Sequence, residues 1–436
     1  MFGTIFACSL GFSLFPKKIL KKSENVKIGN LRYAQFYALI AYMTAKREKI
    51  KSSQLEGFKY FKAISKMLEG LHEAGCQRDI AGNRILHMDQ YVSLILLYMF
   101  NPICTSLRSL QQVSELKKVQ KEFGALRASL GSLSEAARVF DSSLLKKIIQ
   151  ELSAKLTNVR SIPGFDNSKD ILTAVDGSLI EAVGKMGWAL WRTDRNGIKV
   201  HCQYEILKGV PVGMEVTDAN TSEKAVLASI LQPNRIYVTD RGYAKYGLLE
   251  EITNAKSSFV CRIRDNAVYQ TIEDKELSDK AVEEGIIFDR IVDLGGETAD
   301  TKIKKIRLVA VKCTPKPGRS RTGGRGGPKQ GEIILIATDR FDLDSETIGA
   351  IYNHRWTIEI YFRFFKHVLG CRHLLSHNKN GIEIQMYMAI IACMLISLWT
   401  GRKPTLRTYE MVCWYFMGMA DLEELQAHIN RQKLQK

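Results

Sequence analysis

Ile171-Leu172-Thr173-Ala174-Val175-Asp176 is an apolar run closed by a carboxylate, and Arg235-Ile236-Tyr237-Val238-Thr239-Asp240 repeats that form downstream. Short β-rich runs bounded by turn residues read as buried strands, and an aspartate ending each one lets a side chain leave the core at a sheet edge. Between them, Ile198-Lys199-Val200-His201-Cys202-Gln203-Tyr204 and Val210-Pro211-Val212-Gly213-Met214-Glu215-Val216 read as two more strands joined by a turn near Gly209. A helix from Ser222 to about Leu231 follows them, and after Asp240 come a helix from Lys245 to Ala255 and a fifth strand, Ser258-Phe259-Val260-Cys261-Arg262-Ile263. Three strands, a helix and a strand again make an α/β layer.

Upstream of this layer, Ser161-Ile162-Pro163-Gly164-Phe165-Asp166-Asn167-Ser168 is a breaker cluster that marks a domain boundary. From Leu31 to about Leu156 the apolar spacing is helical, as in Gln90-Tyr91-Val92-Ser93-Leu94-Ile95-Leu96-Leu97-Tyr98-Met99. Ser106 and Ser114 read as openers of short helices, and Ser132-Leu133-Ser134-Glu135 has capping-box form. That order suits either a helix-turn-helix-like module or a plain bundle with solvated lysines. Downstream, residues 266–340 read as β-rich, with Lys305 to Val311 and Glu332 to Ala337 as strands. Pro315 to Gly331 between them is either a flexible basic hairpin tip or a solvated loop. Helices resume at Ser345, with breaks at Ser376 to Gly381 and near Pro404. The expected parts are a helical region at 1–160, an α/β core split between 161–265 and 341–400, a β-rich segment at 266–340, and a C-terminal helical region at 401–436.

The 436 residues carry 63 Lys and Arg against 46 Asp and Glu, a formal net charge of +17. At 45% hydrophobic residues the chain has material for a core, which excludes a disordered tail or a collagen-like fibre. A positive surplus without a low-complexity tract to hold it is spread over folded surfaces, so the expected partner is a polyanion: nucleic acid first, an acidic membrane surface second. The nine cysteines form no CxxC pair and have no histidine at finger spacing, supporting neither a disulfide framework nor a zinc site. The apolar run from Phe2 to Phe15 has its lysines after it, unlike a secretory signal. Met386 to Trp399 is 14 residues long, short of the roughly 20 needed to cross a bilayer, and reads as a buried core helix. These points favour a reducing cytoplasm.

Asp176 and Asp240 repel each other if brought together uncompensated, and a hard divalent cation is the usual remedy. Each one alone also suits a cap or a turn. A third candidate stands in Tyr352-Asn353-His354-Arg355-Trp356-Thr357-Ile358-Glu359, where one helix would align Tyr352, Arg355, Glu359 and Lys366 on a single face. Phenol and cations can bind phosphate oxygens while the carboxylate holds a metal, whereas the same spacing also describes a salt-bridged surface helix. His354, His367, His373 and His377 cluster nearby but do not suit a hard cation that prefers oxygen.

Taken together, Asp176, Asp240 and the complete set Tyr352, Arg355, Glu359 and Lys366 resemble the DDE transposases of bacterial insertion sequences, in the branch with a Tyr-x2-Arg-x3-Glu-x6-Lys signature. The resemblance spans roughly residues 90 to 400. It implies a ribonuclease-H-like mixed sheet flanked by helices and interrupted by a β-rich insertion, with an all-α N-terminal region. Asp176, Asp240 and Glu359 would be catalytic and would hold two Mg2+ ions, with Mn2+ able to substitute. Tyr352, Arg355, Lys366 and Arg241 would contact DNA phosphates, and Trp356 would serve in base stacking or fill the core. The implied partner is double-stranded DNA, at element ends and target, met by a dimer or higher assembly in the bacterial cytosol at the nucleoid, with no membrane involved. Some members of the branch use a Trp from the β insertion to stack a flipped base. Here Trp188, Trp191, Trp356, Trp399 and Trp414 all lie outside 266–340, leaving Tyr269 or Phe288 as stacking platforms or as core residues. A nuclease of the same fold that cuts without joining, and a non-catalytic DNA-binding derivative, are the rival readings.

Overall fold

A computed structural model describes residues 67–434, apart from short stretches at 75–77, 80–81, 83, 124–126, 166–167, 183–185, 192–194, 296–301 and 314–330. The apolar N-terminus, the first part of the expected helical region and the basic tip therefore lie outside the described residues.

The α/β reading is realised as one ten-stranded mixed sheet. Its first half holds β1 (Ile171–Ala182), β2 (Leu190–Trp191), β3 (Arg195–Glu205), β4 (Val210–Asp218), β5 (Arg235–Thr239) and β6 (Ser258–Arg262). β3 pairs antiparallel with β1 and with β4, whereas β5 is parallel to β1 and β6 parallel to β5. β7 (Tyr269–Lys275), β8 (Ile286–Leu294), β9 (Ile303–Lys312) and β10 (Ile333–Thr338) continue the same sheet through antiparallel pairing of β10 with β6. The strand-rich stretch 266–340 is thus hydrogen-bonded onto the edge of the core sheet.

Both faces of the sheet are covered, which is why its strands are near-continuous apolar runs. Alternation sends Ala174, Ile236 and Val238 into one core cluster and Val175 and Tyr237 into the other. The second face carries α7 (Glu223–Ser229) and α8 (Tyr246–Asn254), the latter burying Leu248, Leu249 and Ile252. The first face carries α10 (Ser345–His354), α11 (Thr357–His367) and α12 (Lys379–Thr400), with α13 (Leu406–Phe416) packed on α12 and α14 (Leu422–Leu434) on α13; the short α9 (Asp279–Glu283) lies between β7 and β8.

Upstream, the described helices are α1 (Leu71–Ala74), α2 (Met88–Phe100), α3 (Leu107–Ser114), α4 (Lys117–Phe123), α5 (Leu130–Val139) and α6 (Leu144–Lys155). Ser106 opens α3 as expected, accepting from the Ser109 N–H at 3.2 Å. Two local expectations are corrected. Ser114 closes α3, its hydroxyl donating to Gln111 O, so it does not open the next helix. Ser129 caps α5 by accepting from the Ser132 N–H, and the expected capping box at Ser132 falls inside the helix because an equally good cap stands three residues earlier.

The apolar segment near residue 390 also differs from its reading. The helix runs to 22 residues, because Lys379 to Gln385 extend it, and it is long and apolar enough to cross a membrane. Burial identifies it as a core helix: 89% of its most apolar window is buried, against β4, α2, α5 and α6. Asn380 fixes the contact, its amide donating to Ala137 O at 2.9 Å and Phe140 O at 2.6 Å, while the Ser142 hydroxyl donates to Glu383 at 2.7 Å.

Candidate active site

Ala174 of β1 is in register with Val238 of β5. Asp176 and Asp240 each stand two residues further along parallel neighbours, so the two carboxylates emerge side by side from strands about 4.8 Å apart. Asp240 ends its strand as expected, but Asp176 does not: β1 runs on to Ala182 because β3 keeps pairing with it, whereas β5 stops at Thr239 and leaves this stretch of β1 open on that edge. Asp240 turns the chain, its Oδ1 accepting from the Gly242 N–H at 2.8 Å. Asp176 accepts from the Gly177 N–H at 2.8 Å and is 21% exposed.

The third acid arrives from above. Tyr352, Arg355 and Glu359 do not share the single helix that the spacing predicts: α10 ends at His354 and α11 starts at Thr357. Arg355 and Trp356 at the joint keep helical backbone angles, so the four-residue step from Arg355 to Glu359 survives the break. Arg355 Nη2 donates to Glu359 Oε1 at 2.6 Å, and Arg355 Nη1 stands 4.0 Å from Asp176 Oδ2. One guanidinium thereby lies between the first and third acids. Its position explains the local electrostatics: burial drives the Asp176 pKa up, Arg355 pulls it down, and Asp240 and Glu359 push it up again, leaving it at about 7. For Arg355, burial opposes the charge, but Tyr352, Glu359 and Asp176 outweigh it.

The other expected DNA contacts are placed differently from one another. Tyr352 is half-buried, with its phenol pushed up to about 12 by burial despite the pull of Arg355 and Arg262. Lys366 is half-buried and donates to Leu179 O at 2.7 Å, tying α11 to β1 just past Asp176; desolvation lowers its pKa. Arg241 is 57% exposed, 3.9 Å from Asp265. Trp356 caps α11 at intermediate exposure. Tyr269 and Phe288 both pack against the second core cluster, and Arg290 lies 4.4 Å over the Phe288 ring. A residue that the sequence alone does not single out is Glu223, at the start of α7, whose carboxylate lies against Gly177. Its faint signal is a glycine directly after Asp176.

The donor chemistry, carboxylate oxygens alone, fits a hard divalent cation. Among the described residues, however, no group of three His, Cys, Asp or Glu is gathered closely enough to hold a metal ion. The reason is visible in Arg355, which supplies positive charge and keeps Glu359 to itself.

The sequence pattern described as the transposase DDE domain matches residues 167–395, more than half of the chain. A Sinorhizobium fredii protein named as a transposase is 28% identical over 229 residues, 52% of this chain and 60% of that protein, so the match spans less than two thirds of this relative. A Geobacillus stearothermophilus protein named as the transposase of an insertion sequence element is 24% identical over 278 residues, 63% of this chain and 68% of its own. A Synechocystis protein named in the same way is 20% identical over 318 residues, 72% of this chain and 82% of its own. Among solved structures, a cryo-EM structure of the piggyBac transposase synaptic complex with hairpin DNA aligns with 88% of this chain and 82% of that one at a TM-score of 0.39 and 11% identity.

Proposed function

The chain belongs to the DDE transposases of insertion-sequence elements, and from that premise we propose that it binds the terminal repeats of a mobile element, cleaves DNA at its ends and joins the freed 3′-hydroxyl to target DNA. The observation that carries this reading is the pairing of Asp176 with Asp240 at one open strand edge, with Glu359 brought over them by α11. Three carboxylates there with a single guanidinium between two of them describe a site short of positive charge.

Asp176, Asp240 and Glu359 are the residues that would hold Mg2+, or Mn2+ in its place. Two bound ions would supply Lewis acidity at the scissile phosphate and an acidified nucleophile, water for cleavage and a DNA 3′-hydroxyl for joining. The chain's own groups do the positioning. In cleavage, in-line attack of water on phosphorus breaks its bond to the 3′-oxygen, which leaves as a hydroxyl; in joining, that hydroxyl attacks a target phosphorus and the target's own 3′-oxygen leaves. Arg355, released from Glu359, and Arg241 would pair with phosphate oxygens, the Tyr352 phenol would donate to one, and Trp356 would stack on an unpaired base. Lys366 holds β1 in this structure and would reach DNA only by giving up Leu179 O.

At the level of parts, the order β4-β3-β1-β5-β6, with β3 and β4 antiparallel and β5 and β6 parallel to β1, supports a ribonuclease-H-like core over 161–265 and 341–400. Residues 266–340 then act as its β-rich insertion, 1–160 as the end-binding region and 401–436 as a C-terminal support. The charge of +17 supports a double-stranded DNA partner bound through its phosphates. Handling two element ends at once calls for a dimer or higher assembly on DNA, and such work belongs in the bacterial cytosol beside the nucleoid.

A strand-transfer assay tests the joining step. Incubated with Mg2+, an oligonucleotide carrying a pre-cut element end with a free 3′-hydroxyl, and a target plasmid, the protein should yield covalent end-to-plasmid products. Cleavage of intact ends without any joined product would move the chain to the nuclease reading, and binding without either product to a non-catalytic one.

A further inference from the structure

Behind the acids, on the α7 side of β1, a fourth carboxylate comes up to the strand. A Cβ on Gly177 would lie 2.6 Å from Glu223 Oε1 and 2.8 Å from its Cδ, so only the absence of a side chain lets this carboxylate rest against the residue that follows Asp176. Lys199 holds it there, 3.4 Å from Glu223 Oε1, and is itself anchored by donating to Thr221 O at 3.2 Å. Glu223 remains 33% exposed, so it is not sealed in by that pair.

A second observation points into the same place. Tyr243, in the turn opened by Asp240, is 1% exposed, yet its hydroxyl has no hydrogen-bond partner among the described residues. Burial, followed by the charges of Glu223, Asp176 and Asp240 in that order, pushes its pKa up. A buried phenol left without a partner, within electrostatic reach of three carboxylates, is uncommon in a folded protein, and it makes sense where a hydrated ion completes the set. Because β5 ends at Thr239, groups from both faces of the sheet can meet along the open edge of β1.

Resting on the catalytic reading above, we propose that Glu223 is a positioning carboxylate of the same site: it accepts hydrogen bonds from water bound to the cation that Asp176 ligates, with Gly177 making room for it and Lys199 setting its angle. Magnesium-type ions keep several of their waters and use only one or two protein carboxylates directly, so an outer acceptor of this kind is what such a site needs.

The test is Mn2+ binding to the full, DNA-free chain, followed by electron paramagnetic resonance of the free ion, with a melting curve for each variant. Glu223→Gln should weaken Mn2+ binding about 10- to 100-fold, with its melting temperature close to the parent's. Gly177→Ala should weaken it in the same direction, because a methyl there displaces only the flexible end of Glu223. Glu215→Gln, on β4 and paired with Lys146, should bind Mn2+ as the parent does. Two outcomes count against the proposal. If Asp176→Asn loses Mn2+ while Glu223→Gln binds within twofold of the parent, Glu223 has only a structural role and the catalytic reading stands. If Asp176→Asn also binds as the parent does, the catalytic reading fails and takes this proposal with it.

Discussion

Burial, Asp240 and Glu359 raise the Asp176 carboxyl against the pull of Arg355, and its pKa of about 7 sets a pH dependence. An unfolded chain releases this proton near pH 3.9, roughly the reference value. Between that value and about 7 the folded protein binds more protons than the unfolded one, so stability from this group is present at low pH and is lost as pH rises. Comparing metal-free parent with Asp176→Asn by chemical denaturation, the variant should gain on the parent by on the order of 2–3 kcal/mol between pH 5 and pH 8. An unchanged difference across that range would mean that the carboxylate is not pressed by burial and by Asp240 and Glu359. The expectation that Arg355 faces a phosphate needs a qualification at this scale. In the free protein its guanidinium is engaged by Glu359 at 2.6 Å, a distance that no spacing rule reveals, because the same i, i+4 pair describes both a surface salt bridge and a held catalytic acid.

At the scale of elements, β5 and its terminal Asp240 were legible because a buried parallel strand needs an unbroken apolar run; Asp176 ends the apolar run but not the strand, because β1 continues to Ala182 through its pairing with β3. The joint between α10 and α11 was not legible, since Arg355 and Trp356 break the helix without glycine or proline. The length of α12 was under-read for the opposite reason: its first residues, Lys379 and Asn380, are polar, and Asn380 spends its amide on the carbonyls that end α5. The anchoring of the β-rich segment also lies beyond sequence pattern. Arg307 on β9 is 2% exposed and forms a two-pronged pair with Asp289 on β8, at 2.9 and 2.7 Å. The same guanidinium donates to Arg340 O at 3.0 Å and to Leu343 O, holding the approach to α10 and hence the height of Glu359. Arg307→Ala should cost about 3–5 kcal/mol in a denaturant titration, because it strands a buried carboxylate, and Arg307→Met with Asp289→Leu should recover most of the loss. A loss below about 1 kcal/mol for the single variant would show that the pair is not what fixes this corner.

For the whole molecule, net charge pointed to a polyanion partner, the phenol and cations spaced around Glu359 suited a phosphodiester, and the order of the three acids entered through the family resemblance. Glu223 escaped because its closeness to Gly177 arises only when α7 folds back across β1, and a glutamate at a helix start is otherwise unremarkable. The sheet places two acids in register, α11 carries the third, and the buried Arg307 pair holds the segment leading into α10; the proposed function requires these carboxylates to work as one metal-dependent centre. The most direct measurement is cleavage of a supercoiled plasmid bearing a cloned element end, with Mg2+ and with EDTA, comparing the parent with Glu359→Gln and Asp240→Asn at matched DNA binding. The account predicts Mg2+-dependent nicking at the element end that falls by at least about 100-fold in either variant while binding persists. Nicking that survives in EDTA, or that Glu359→Gln leaves intact, would contradict it.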